Sequence, residues 1–80
     1  MPRVAIIGTG LIGASIGLGL KANAAGSIEI IGSDRYRDHA RQAEAVRAVD
    51  RSEPNPAKAV EGAELVIIAV PILGIREVME

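Results

Sequence analysis

The stretch that decides the fold is VAIIGTGLIG, residues 4–13. It opens on a short run of mostly branched apolar residues, Val4 to Ile7, which is typical of a buried parallel strand. Three glycines follow in a G-x-G-x-x-G pattern, and residues 11–25 have the composition of a helix. The order strand, glycine turn, helix predicts the first βα unit of a fold that binds dinucleotides.

Each glycine of the pattern has its own role in such a unit. Gly8 permits the tight turn, Gly10 lets the backbone approach a pyrophosphate, and Gly13 lets the helix pack closely on the strand. Gly17 is expected to extend this smooth helix face by one turn. The helix start offers N–H groups and a partial positive charge to phosphate. The residues predicted to bind pyrophosphate are Gly8, Thr9, Gly10, Leu11, Ile12 and Gly13.

The same region has two other interpretations. Arg3, the apolar run and residues 22–24 (Ala-Asn-Ala) have the layout of a secretory signal peptide, and Gly13 and Gly17 have the spacing of packed membrane helices. The uncharged run 4–20 reaches only the lower limit of the roughly 17–25 residues that span a membrane. Each glycine inside a helix costs about 1 kcal/mol relative to alanine. The glycines of this run therefore weigh against both interpretations.

Composition limits the chain to one small domain. It has 80 residues, no cysteine, a single aromatic residue and a net charge of −1. Without cysteine, disulfides and thiolate metal sites are excluded, and no other cluster suggests a metal site. No basic block suggests nucleic acid or a membrane surface as a partner. We expect a cytoplasmic protein, since a chain without cysteine suits a reducing compartment.

The rest of the chain alternates predicted strands and helices. After the first βα unit, the predicted strands are 28–33, a short one at 48–50, and 65–70. The predicted helices are 36–46, 56–60 and 72–80. This order predicts an α/β fold of Rossmann type, with a parallel sheet of strand order 3-2-1-4 and helices on both faces.

The fourth strand would form a long apolar sheet edge, which natural proteins avoid, and the last predicted helix runs to the end of the sequence. We therefore expect residues 1–80 to be a truncated N-terminal dinucleotide-binding domain of a longer protein. A mini-domain that covers its edge by dimerising is the alternative.

A carboxylate at the end of the second strand supports the cofactor prediction. Asp34 follows Gly13 by about 20 residues, where an acidic residue binds the adenosine ribose in such folds. It would accept hydrogen bonds from the 2′- and 3′-hydroxyls and repel a 2′-phosphate, which favours NAD. Ser33, Arg35 and Arg37 are residue types that hold a 2′-phosphate, and Arg35 could stack on adenine, so NADP stays possible. A helix N-cap is the alternative role of Asp34.

The end of the fourth strand is the other candidate part of the site. Ala69, Val70 and Pro71 fall near the switch point between strands one and four, where open α/β sheets bind ligands. They are expected to line the ribose and nicotinamide side, although Pro71 also suits a simple strand end. His39 lies among charged residues and is interpreted as a solvated surface residue. No catalytic residue is predicted in this chain.

Three stretches, in this order, resemble the prephenate and arogenate dehydrogenase family: VAIIGTGLIGASIGLGLK, IIGSDR and AVEGAELVIIAVPI. The resemblance implies an NAD(P)-binding domain followed by a helical domain that dimerises. It implies oxidation of prephenate or arogenate by hydride transfer to NAD(P)⁺ with loss of CO₂, in tyrosine biosynthesis. It also implies that residues 8–13 bind the pyrophosphate, Asp34 the ribose, and residues 69–71 the nicotinamide side.

The chain departs from the family's pattern in two places. Some members carry a serine just before the proline that closes the fourth strand, where this chain has Ala69 and Val70. The family's catalytic histidine would lie beyond residue 80, so the 80 residues alone are expected to bind dinucleotide weakly and to turn nothing over. Pyrroline-carboxylate reductases and 3-hydroxyacid dehydrogenases have similar openings. A non-catalytic module that senses NAD(H) is the alternative from another class of function.

Overall fold

The computed structural model describes residues 2–24 and 27–69. Strands and helices alternate along this part of the chain, as the sequence predicts. The elements are β1 (Arg3–Ile7), α1 (Leu11–Ala24), β2 (Glu29–Ser33), α2 (Arg37–Ala45), β3 (Arg51–Ser52), α3 (Pro56–Ala59) and β4 (Leu65–Ile68). The helix predicted at 72–80 lies outside the described residues, as do Val70 and Pro71.

The four strands form one parallel sheet in the order β3-β2-β1-β4, which confirms the predicted order. β1 lies inside the sheet, where Val4 is in register with Ile30 of β2 and with Leu65 of β4. Parallel pairing brings the carboxyl ends of all strands to one edge, called here the carboxyl edge. Ligands of open α/β sheets bind beyond this edge.

The core lies on both faces of the two inner strands, because successive side chains of a strand point to opposite faces. The cluster on the face covered by α1 and α2 consists of Val4, Ile6, Ile30, Ala43, Ala48 and Val49. The smaller cluster beneath α3 consists of Ile7, Ile31 and Ala59. Isoleucine, valine and alanine thus build the core without an aromatic residue, as the composition requires.

The third strand lies later in the chain than the sequence predicts. It was expected at 48–50, yet the ladder residues are Arg51 and Ser52. Arg47 has a φ of 63°, which turns the chain sharply after α2. Ala48 and Val49 follow this turn and are buried as core residues rather than as strand residues. Ala48 and Val49 are therefore apolar because they are buried, and not because they pair in a strand.

Gly17 also has a different partner from the one expected. A Cβ atom on Gly17 would lie 2.2 Å from the carbonyl oxygen of Ala48. The middle of α1 therefore packs on the backbone of the loop before β3. Gly17 does not simply extend the face that α1 presents to the strand.

β4 is the exposed edge that the sequence predicts. Among the described strands it pairs only with β1, and its Leu65, Val66 and Ile68 are between 41% and 50% exposed. The interpretations of residues 4–20 as a signal peptide or a membrane helix do not fit this fold, because this run forms an inner strand and a packed helix. In the part of the chain that the structure describes, no helix has the length and apolar character needed to cross a membrane.

Candidate dinucleotide site

Gly8 and Gly13 shape the turn after β1, and the fold itself requires both. Gly8 has a φ of 95°, a left-handed conformation that favours glycine. Its N–H donates to the carbonyl oxygen of Ser33 at 2.7 Å, which ties the turn to the end of β2. A Cβ atom on Gly13 would lie 1.8 Å from the carbonyl oxygen of Gly8. The first turns of α1 therefore rest directly on the backbone of the glycine turn.

Gly10 differs from its neighbours because nothing in the folded chain demands glycine there. Its φ lies outside the left-handed region, and an added Cβ would make only ordinary contacts, 3.6 and 3.8 Å from two ring atoms of His39. Its carbonyl oxygen accepts from the N–H of Ala14 at 2.8 Å, which begins α1. N–H groups in the first turn of a helix have no partner within it. The N–H groups that follow Gly10 are therefore available to a ligand phosphate.

Asp34 lies at the carboxyl edge with only 6% of its side chain exposed. Its Oδ2 accepts from the backbone N–H of Thr9 at 2.6 Å and from the Thr9 hydroxyl at 3.2 Å. Its Oδ1 accepts from the backbone N–H of Tyr36 at 2.8 Å. A carboxylate can accept about four hydrogen bonds. Asp34 is thus held firmly and keeps capacity for a ligand hydroxyl.

The alternative role of Asp34, the N-cap of α2, is not the one seen. The N-cap residue is Tyr36, and it makes no side-chain capping hydrogen bond. Asp34 instead closes a local turn onto the N–H of that residue. The carboxylate is directed toward the glycine turn, as a ribose ligand in this fold would need.

Thr9 is buried, and both its N–H and its hydroxyl bond to Asp34. These contacts suit a residue that positions the carboxylate from beneath. Leu11 and Ile12, in contrast, are 86% and 68% exposed at the start of α1. The assignment of residues 8–13 to pyrophosphate stays a prediction.

A row of side chains borders Asp34 on its outer side. The Arg35 guanidinium carbon lies 5.4 Å from the ring centroid of Tyr36, and the Tyr36 and His39 rings are 5.1 Å apart. His39 Nδ1 lies 3.4 Å from Asp34 Oδ2. The interpretation of His39 as a solvated surface residue is only partly right, because its side chain is 48% exposed yet touches the site. Its position in the first turn of the helix after Asp34 was the available signal.

Two further residues named from the sequence lie at this edge. Ser33 is 1% exposed, and its Oγ has no hydrogen-bond partner within the described ranges. It shares the face of Ile31 in a strand that is buried on both sides, so it is not placed to hold a 2′-phosphate. Ala69 follows β4 and donates its N–H to the carbonyl oxygen of Ile7 at 2.8 Å, which keeps it at the carboxyl edge. Its contact with the nicotinamide side stays a prediction.

The opposite, amino edge of the sheet is held by an ion pair. Asp50 accepts from Lys21 Nζ at 2.6 Å and from the backbone N–H of Ile30 at 2.6 Å. Burial disfavours ionisation of Asp50, but the hydrogen bonds from Lys21 and Ile30 and the charge of Lys21 outweigh it, so the pKa of Asp50 lies below its usual value. Within residues 2–24 and 27–69, no three His, Cys, Asp or Glu residues lie close enough to hold a metal ion.

Comparison with known proteins adds the family. Residues 3–80 match the model of a family described as NADP oxidoreductase, coenzyme F420-dependent. The chain belongs to this family. The prephenate dehydrogenase of Lactococcus lactis subsp. cremoris is 40% identical to this chain over 72 residues. These residues are 90% of this chain and 20% of that protein.

Two of the solved structures that resemble this chain have the same fold. Prephenate dehydrogenase from A. aeolicus, in complex with hydroxyphenyl propionate and NAD⁺, superposes with a TM-score of 0.82 at 24% identity. The match covers 98% of this chain and 27% of that one. Synechocystis arogenate dehydrogenase gives a TM-score of 0.80 at 24% identity, over 94% of this chain and 26% of that one.

These findings confirm the Rossmann-type fold and the resemblance to prephenate and arogenate dehydrogenases. The relatives are dehydrogenases, and the chain spans about a fifth to a quarter of their length. The description of the family names NADP, whereas the A. aeolicus structure holds NAD⁺. The residues around Asp34 therefore bear on which dinucleotide this chain prefers.

Proposed function

We propose that this chain is the cofactor-binding part of an NAD(P)-dependent dehydrogenase that oxidises prephenate or arogenate. The observation that carries the proposal is Asp34, a nearly buried carboxylate held by Thr9 at the carboxyl edge, beside the glycine turn. The relatives that match this chain are prephenate and arogenate dehydrogenases, which supports the choice of substrate. The overall reaction is oxidative decarboxylation, with hydride transfer to the cofactor and loss of CO₂.

The residues present fit a dinucleotide. The backbone at Gly10 lies at the start of α1, where N–H groups and the helix dipole favour phosphate. Asp34 can accept a hydrogen bond from a ribose hydroxyl in addition to those from Thr9 and Tyr36. When bound, the nicotinamide supplies the hydride acceptor. The residues of this chain bind and orient the cofactor.

We propose NAD as the preferred cofactor, with NADP accepted more weakly. A 2′-phosphate carries a charge of about −1.5 to −2 near pH 7, and the buried carboxylate of Asp34 would repel it. Arg35 follows Asp34 directly and stacks near Tyr36, which offers a cation that lowers this repulsion. The family description, which names NADP, is consistent with a site that tolerates both.

The rest of the enzyme is proposed from the relatives. Since this chain spans about a fifth of the Lactococcus protein, we propose that the substrate and the catalytic histidine belong to a helical domain that also dimerises. We propose a cytoplasmic location, and no turnover by the 80 residues alone.

The test is calorimetric titration of NAD⁺ and NADP⁺ into the protein and into Asp34→Ser and Asp34→Asn variants. We expect tighter binding of NAD⁺, and a loss of about tenfold in its affinity in both variants, because a hydrogen bond to a charged group is removed. Asp38→Asn, which neutralises an exposed carboxylate in the first turn of α2, is the matched control. If neither dinucleotide binds to a protein shown to be folded by circular dichroism, the proposal is ruled out.

A further inference from the structure

His39 occupies the space between the two predicted parts of the site. Its Nδ1 lies 3.4 Å from Asp34 Oδ2, and its ring would contact a Cβ atom at Gly10 at 3.6 and 3.8 Å. Asp34 is the predicted ribose residue and Gly10 the predicted pyrophosphate residue. A dinucleotide that contacts both therefore has to contact or displace the imidazole.

The fold itself does not account for an imidazole at this position. Helix α2 is anchored by the buried Ala43, one turn further on. Asp34 already accepts short hydrogen bonds from Thr9 and Tyr36, while the 3.4 Å separation from His39 is longer than a well-formed hydrogen bond. The Tyr36 ring flanks the imidazole on another side and restricts its orientation. His39 is thus held at the site by loose contacts, half exposed to whatever binds there.

We propose that His39 is a cofactor-binding residue that sets the balance between NAD and NADP. The proposal rests on dinucleotide binding at Asp34 and the glycine turn, as proposed above. A neutral imidazole offers one donor and one acceptor, which suits a ribose hydroxyl. A protonated imidazole offers two donors and a positive charge, which offsets the carboxylate of Asp34 and attracts a 2′-phosphate. Protonation of His39 therefore favours NADP more than NAD.

The charged groups around His39 support this direction. Asp34 is a negative group in contact with it, and the glycine turn contributes Gly10, which carries no charge. The segment before α2 contributes Tyr36 and the guanidinium of Arg35 near its ring. A 2′-phosphate placed here would meet the carboxylate of Asp34, the guanidinium of Arg35 and, when protonated, His39.

The test is titration of NAD⁺ and NADP⁺ by calorimetry at pH 6 and pH 8, at constant ionic strength, into the protein and His39→Gln. Glutamine keeps a donor and an acceptor but does not titrate. Arg41→Gln is the matched control, because Arg41 is exposed on α2 two residues away and so points to another side of the helix. The 2′-phosphate itself titrates near pH 6, so the decisive quantity is the difference between protein and variant.

We expect the ratio of the NADP⁺ to the NAD⁺ dissociation constant to fall about three- to fivefold more, from pH 8 to pH 6, in the protein than in His39→Gln. Arg41→Gln should keep the response of the unaltered protein. An identical pH response in His39→Gln would overturn the inference while leaving the proposed function intact. No binding of either dinucleotide to the folded protein would overturn both.

A second measurement does not depend on a variant. His39 is the only histidine of the chain, so its imidazole ¹H–¹⁵N signals need no assignment by mutagenesis. We expect these signals to shift on saturation with NAD⁺ and to shift differently with NADP⁺. Signals that stay unchanged while calorimetry reports binding would contradict contact between His39 and the cofactor.

Discussion

Replacement of Gly13 by alanine tests whether the glycine turn is packed as the structure has it. The new Cβ would lie 1.8 Å from the carbonyl oxygen of Gly8 and 2.9 Å from its carbonyl carbon, and these backbone atoms belong to a turn tied to β2. Overpacking of this kind costs about 1–3 kcal/mol or more. In a domain of this size each 1 kcal/mol changes the melting temperature by about 4–8 °C. We therefore expect a decrease of about 4–24 °C.

Replacement of Gly10 by alanine should leave the stability nearly unchanged and weaken the binding of NAD⁺. Its Cβ would make only ordinary contacts with His39, and the residue precedes α1 outside the left-handed region. A gain of about 0.4–1 kcal/mol from the stiffer unfolded chain roughly offsets the poorer helix cap. The melting temperature should then change by less than about 5 °C. The added methyl group obstructs the approach of a pyrophosphate, and one methylene in a tight site is worth about 10–200-fold, so NAD⁺ affinity should fall at least tenfold.

The assays are thermal unfolding followed by circular dichroism, and calorimetric titration of NAD⁺ into each folded variant. Gly19→Ala is the matched control, because apart from its own stretch of helix no atom lies within 4 Å of its Cβ position on the exposed side of α1. It should raise stability by up to about 1 kcal/mol and leave binding unchanged. NAD⁺ binding by Gly10→Ala equal to that of the unaltered protein would refute the placement of the phosphates. An unchanged melting temperature in Gly13→Ala would refute the packing.

Two further predictions concern hydrogen bonds at the two edges of the sheet. Thr9→Val removes the hydrogen bond from the Thr9 hydroxyl to Asp34 but keeps the bond from the backbone N–H. Measured by calorimetry, the affinity for NAD⁺ should fall about threefold and the affinity for NADP⁺ should fall less. Equal losses for both dinucleotides would contradict a role of Thr9 in positioning Asp34. The pKa of Asp50 is lowered in the folded chain, so its ionised form stabilises the fold above about pH 4, and this contribution is lost as the pH falls through the folded pKa. Asp50→Asn should therefore lower the melting temperature more at pH 7 than at pH 3, and an equal decrease at both values would contradict it.

Much of the fold was predictable because it depends on local patterns. The branched apolar runs of β1, β2 and β4 and the glycine turn are each encoded within a few consecutive residues, and the strand order follows from their alternation with helices. The third strand was not predictable in this way. Ala48 and Val49 are apolar because they fill the space between α1 and β2. The turn at Arg47 that places them depends on long-range packing against Gly17.

The candidate site was likewise predictable only where it depends on local sequence. Asp34 was predictable because it follows a strand at a fixed distance from the glycines. The contacts of Asp34 with Thr9 and His39 were not, since they join segments that meet only when the sheet forms. The burial of Ser33 could have been predicted, because it shares a face with Ile31 in a strand buried on both sides.

The proposed function requires that a dinucleotide bind between the glycine turn and Asp34. The most direct test is a ¹H–¹⁵N spectrum of the labelled protein titrated with NAD⁺. We expect the amide signals of Gly10, Gly13 and Asp34 to shift, while those of Lys21 and Asp50 at the amino edge stay in place. Shifts at the amino edge alone, or none at saturating NAD⁺ in the folded protein, would contradict it.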